Sequence, residues 1–116
     1  MIEIELRIPD SVNSDALVRI VEHTCIAHGL TCTLKGTLAS YPGCVHWHFR
    51  KGMQKGILEI TSWETERRLW FKVAQNRRSE WIEDSIPRLK EQIEKSLYLT
   101  SKPDQTDRAL AKRGKE

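Results

Sequence analysis

Residues 44–52, CVHWHFRKG, bring two imidazoles, an indole, a thiol and two cations into nine positions. If this stretch is a β-strand, side chains alternate between its faces. His46 and His48 then share one face, roughly 6.5–7 Å apart along the strand, and Trp47 occupies the other. Two histidines at i and i+2 can share one metal ion, and a carboxylate from a neighbouring strand can add an oxygen ligand. Glu59 is that carboxylate if the next strand-like run forms a hairpin with this one. Cys44 has the same parity but would lie about 13 Å from His48, too far to share the ion. Lys72, expected beside Glu59, would compete with a cation. The same His48–Glu59 pair is also a possible acid–base couple.

Nothing else in the chain reads as catalytic machinery. There is no nucleophile motif, no glycine-rich phosphate loop and no H-E-x-x-H pattern. An open sheet face excludes water poorly. The expectation therefore leans away from an enzyme, with no catalytic residue and no cofactor assigned.

Two further surfaces suggest binding. Arg50, Lys51, Lys55, Arg77 and Arg78 fall at one end of the expected sheet, with Trp81 nearby. Trp63 and Trp70 would offer stacking platforms on the open face, a combination suited to single-stranded nucleic acid or an acidic protein surface. Glu80, Glu83 and Asp84 come directly after and weaken the basic character. Trp63, Trp70 and Ile57 also make that face more apolar than a lone domain needs, which favours a protein partner or a homodimer.

The leading expectation is a small, non-enzymatic binding or self-associating module. It would use His46, His48, Arg50, Lys51, Lys55, Trp63, Trp70, Lys72, Arg77 and Arg78. Single-stranded nucleic-acid binding is the alternative, and weak metal binding through His46, His48 and Glu59 is the second.

The elements that would carry these residues are legible from periodicity. Residues 2–8 alternate Ile2, Ile4, Leu6 and Ile8 with Glu3, Glu5 and Arg7, as a strand with one buried face does. Residues 12–28 repeat apolar positions at helical spacing, with Ser11, Asn13 or Ser14 as N-cap and Gly29 as the stop. Leu30, Cys32 and Leu34 then alternate with Thr31, Thr33 and Lys35. Residues 36–43, GTLASYPG, read as a loop. Strand-like runs occupy 44–50, 57–63 and 68–74, joined by hairpin-length connections. Pairing Phe49 with Leu58, Trp47 with Ile60 and Ile60 with Phe71 aligns apolar partners across all three. The opposite face then has one row of His48, Glu59 and Lys72 and another of His46, Thr61 and Trp70. A final helix is marked by Ile82, Ile86, Leu89, Ile93 and Leu97, with Pro87 requiring either a start nearby or a kink.

The order β-α-β-β-β-β-α predicts an α+β two-layer sandwich, a mostly antiparallel five-stranded sheet with two helices on one face. The length suits one domain, placed at residues 1–98, with a flexible polar tail at 99–116. Net charge is +3, but residues 101–116 hold five basic and three acidic groups, so the rest is nearly neutral. Charge alone is therefore a poor argument for nucleic-acid binding. Three cysteines without a C-x-x-C pair suggest reduced thiols, and the N-terminus lacks the basic start and apolar run of a signal peptide. Apolar runs are too short to span a bilayer. A cytoplasmic protein without membrane contact is expected.

Overall fold

The computed structural model describes residues 1–101. Its elements are β1 (Ile2–Leu6), α1 (Ser14–Ala27), β2 (Thr31–Gly36), β3 (Val45–Arg50), β4 (Leu58–Trp63), β5 (Arg68–Val73) and α2 (Glu80–Thr100). The strands form one antiparallel sheet in the order β1-β5-β4-β3-β2. This is the expected α+β fold with the expected element order. The helix α2 runs two residues past the domain limit read from the sequence, and the remainder of the proposed tail, 102–116, lies outside the described residues.

Asn13 caps α1, its side chain accepting from the Ala16 amide at 2.8 Å. The helix buries Leu17, Val21 and Cys25, and α2 buries Ile82, Ile86, Leu89, Ile93 and Leu97. These residues join Leu6, Trp47, Phe49, Leu58, Ile60, Leu69, Phe71 and Val73 in one core. All of those strand residues point to the same sheet face, so both helices cover that face. The register is the one the apolar rows require: Trp47 opposite Ile60, Phe49 opposite Leu58, and Ile60 opposite Phe71. Trp47 is fully buried, and its indole N–H donates to Glu22 Oε2 at 2.8 Å. Lys35 Nζ lies 2.7 Å from the same oxygen, so an ion pair closes the layer over the indole.

Two local features depart from expectation. Register in β2 shifts between Cys32, opposite Phe49, and Leu34, opposite His48. This β-bulge at Thr33 reverses the parity of the rest of the strand. Leu34 therefore turns to the open face, 45% exposed, and Lys35 turns to the helix side. Pro87 neither starts nor ends α2, because the helix passes through it from Glu80. The proline sits on the exposed side, between buried Ile86 and Leu89 on the core stripe.

The connections are anchored from the core side. Arg67, in the left-handed region at φ 53°, donates to the carbonyls of Pro9 and Val12 at 2.7 and 3.1 Å. That ties the β4–β5 turn to the start of α1. Gly56 (φ 101°) lies so close to the start of α2 that a Cβ there would meet Ser79 Cβ at 2.8 Å and the Arg77 carbonyl at 2.9 Å. The Ile57 amide donates to that carbonyl at 3.1 Å, holding the Arg77 segment against the β3–β4 hairpin.

Candidate metal centre on the sheet face

On the face away from the helices, β3 contributes His46 and His48 and β4 contributes Glu59 and Thr61. Antiparallel pairing sets His48 opposite Glu59 and His46 opposite Thr61, with Lys72 and Trp70 completing the rows on β5. Backbone register alone leaves the two imidazoles most of 7 Å apart. Their side chains close that gap. His46 Nε2 and His48 Nε2 lie 3.1 Å apart, with the rings nearly perpendicular at 76°. Glu59 Oε1 is 3.6 Å from His46 Nε2, and one donor atom from each of the three residues falls within 4.8 Å of the others.

Bonds of about 2.05 Å to a tetrahedral ion place neighbouring donor atoms roughly 3.3 Å apart. The His46–His48 and His46–Glu59 separations bracket that value. All three donor atoms lie within 4.8 Å of one another, so closing the set on one ion needs the Glu59 carboxylate and the His48 ring to draw together. Two neutral imidazoles and a carboxylate suit Zn²⁺ or another first-row divalent ion, whereas Ca²⁺ and Mg²⁺ want more oxygen ligands.

The surroundings orient the donors. His46 is buried, and its Nδ1 is 2.8 Å from Thr61 Oγ1. With Nδ1–H donating to that hydroxyl, Nε2 keeps its lone pair for a ligand. With that tautomer of His46, the 3.1 Å contact is satisfied by His48 Nε2–H donating to the lone pair. Binding an ion through both Nε2 atoms then requires the His48 proton to move to its Nδ1, besides the adjustment of Glu59. Burial, the neighbouring His48 and Lys72 push the His46 ring below the usual imidazole range, while Glu59 opposes them. Burial lowers His48 as well, helped by Arg77 and again opposed by Glu59. Both rings are held toward the neutral form that ligates metal. Arg77 Nη1 stands 3.5 Å from Glu59 Oε2, the other oxygen of the carboxylate that approaches His46. Cys44 is not among the donors: it is buried, and its Sγ accepts from the Leu38 amide at 3.3 Å.

Of the two tryptophans expected on the open face, Trp70 is not available there. Trp70 is only 2% exposed, although it lies outside the main core. The 37–44 loop folds over it, with Tyr41 meeting Trp70 edge-on at 5.1 Å and Trp63 at 4.9 Å. The Trp63 indole donates to the Pro42 carbonyl at 3.0 Å. Arg68, bidentate to Glu5, covers the Trp70 ring from 4.3 Å. This patch is a second small core, sealed by aromatic contacts. Trp63 is half-buried beside it.

The expected basic cluster is interleaved with acids. Arg78 donates twice to Glu83, at 3.0 and 2.7 Å, and Arg77 pairs with Glu59. Lys51 shares a shallow cleft with Glu80, Asp84 and Arg88. Lys55 is exposed, and its carbonyl accepts from the buried Trp81 indole at 2.7 Å. Arg50 and Lys72 are half-exposed on the histidine face. A groove of about 830 Å³ on the helical side, lined by Ile8, Pro9, Pro87 and Lys90 among others, shares no residue with the histidine cluster.

Sequence reasoning assigned no role to Tyr41, Thr61 or the Glu59 contact of Arg77. Thr61 was visible as the row partner of His46. A tyrosine beside Pro42 in an aperiodic loop carried no signal of where it packs.

Together these define an α+β sandwich carrying a His₂–carboxylate cluster on its uncovered sheet face. Comparison of the chain with protein-family models, with curated proteins and with solved structures returns no match. No helix among the described residues is long and apolar enough to cross a membrane.

Proposed function

We propose that this chain is a small binding module whose ligand is a first-row divalent metal ion, held by His46, His48 and Glu59. One observation carries the reading: three donor atoms from two adjacent strands converge within 4.8 Å, with Thr61 orienting the buried imidazole. Glu59 and His48 are partly exposed, which leaves an approach from solvent. The free thiols, with Cys32 exposed, suit the reducing cytoplasm as the setting.

The test is zinc titration by calorimetry together with the imidazole NMR signals. One ion per chain is expected, with His48→Ala and Glu59→Gln each weakening it at least tenfold. Unmoved ring signals and no heat of binding would leave the cluster a hydrogen-bonded network and end the proposal.

Association with a protein or a second copy is the second reading. It is favoured by β2, an edge strand with all six residues exposed and Leu34 turned outward beside His48. The bulge and Lys35 oppose simple edge pairing. Light scattering of the wild type and Leu34→Glu distinguishes them; a dimer that Leu34→Glu dissolves supports association, and a strict monomer removes self-pairing. Single-stranded nucleic acid has weaker support, since Trp70 is sealed and Arg77 and Arg78 face carboxylates.

A further inference from the structure

The charges around the proposed ion are the reverse of those a bare cation would select. Glu59 is the sole carboxylate among the three donors. Arg77 lies 3.5 Å from it, and Lys72 is its cross-strand neighbour on the same face. Arg50 comes two residues after His48 on β3, again on that face. Glu3, opposite Lys72 on the far side from Glu59, is the next acidic group in the row. Among the described residues, neither Lys72 nor Arg50 has a carboxylate within 4.0 Å, and Arg77 has only Glu59. A divalent ion on Glu59 therefore leaves a centre of charge +1 beside two or three cations. Three protein donors also leave a tetrahedral ion one position short.

Resting on the metal reading above, we infer that the ion's open position takes a small oxyanion, a carboxylate or a phosphate. Arg77 and Lys72 supply the second contact to it. The anion fills the coordination sphere from the solvent side and neutralises the excess charge. Arg77 offers a planar fork suited to two oxygens, and Lys72 a point charge. Metal and anion then bind with positive linkage, each tightening the other by the same factor.

The two cations also have opposite effects on the two ligands. They repel the bare ion and attract the anion. The double variant Lys72→Gln/Arg77→Gln should bind metal alone as well as the wild type or better, while losing the anion. A role confined to folding would not separate the two affinities in this way.

The experiment uses the full chain and Co²⁺, whose visible bands report coordination. Co²⁺ is titrated in a buffer free of coordinating anions, then with millimolar inorganic phosphate or acetate in separate arms. A band shift and at least a fivefold tightening of Co²⁺ in one arm are expected, and the arm that responds identifies the oxyanion. The double variant should weaken anion binding about tenfold without weakening Co²⁺ alone. Co²⁺ binding with bands unmoved by either anion overturns this inference and leaves the metal reading standing. So does a double variant that responds like the wild type. No Co²⁺ binding in any arm overturns both.

Discussion

Replacing Thr61 by valine tests the link between the folded sheet and the histidine cluster. The side chain is nearly isosteric, and Thr61 is 2% exposed, so the change removes a hydroxyl without opening a cavity. It leaves a His46 Nδ1–H with no acceptor, on a ring that is itself only 5% exposed. An unpaired buried donor costs ~1–3 kcal/mol, and burying a methyl in place of the hydroxyl offsets part of that. The expected net loss is about 1–2 kcal/mol by urea unfolding, or roughly 5–12 °C in Tm for a domain of this size. Zinc affinity should fall by about 10–100-fold, the usual effect of removing the partner that fixes a ligating imidazole. Thr61→Ser keeps the hydroxyl and should retain most of the affinity. The reasoning is refuted if Thr61→Val stays within about 0.5 kcal/mol of the wild type, the scatter of an uninvolved site, and binds zinc equally well.

Four other perturbations have outcomes set by the geometry. Gly56→Ala should destabilise by about 3 kcal/mol in denaturant, combining a left-handed backbone with backbone and side-chain clashes under 3.0 Å. Gly52→Ala, at φ 54° with nothing within 4 Å, should cost only about 1 kcal/mol from backbone conformation; equal losses would show that the packing of Gly56 does not matter. In the native protein a thiol reagent near pH 8 should label Cys32 alone, since Cys44 is buried and burial pushes the Cys25 thiol up to about 12. Rapid labelling of Cys25 before unfolding would contradict its place in the core. Burial by itself raises the Glu94 carboxyl, but the Arg7 amide at 2.9 Å and Lys90 at 3.0 Å outweigh it and hold it below the usual range. A depressed carboxylate stabilises the fold above its unfolded pKa and loses that contribution as pH falls through the folded value. The Tm gap between wild type and Glu94→Gln should therefore be widest near pH 7 and close toward pH 3; a gap independent of pH would count against the ion pair.

What the sequence alone determined rests on period. Alternation along β3, β4 and β5 has a single register that keeps every charge out of the core, so the partners of Trp47, His48 and His46 were readable without coordinates. The same argument placed the helices on the Trp47 side, and composition excluded a long apolar span. Tertiary structure decided what periodicity does not encode. The 37–44 loop has no repeat, so its passage over Trp70 depends on the fit of Tyr41 between two indoles. A one-residue bulge in β2 reversed Leu34 because a strand's parity survives only while pairing is uninterrupted. Convergence of the two histidines is decided there as well. Strand spacing sets two imidazoles most of 7 Å apart, and only rotamers held by Thr61 and the neighbouring strand bring their nitrogens to 3.1 Å. Backbone pattern is local and repeats, whereas convergence of side-chain tips is a property of packing in three dimensions.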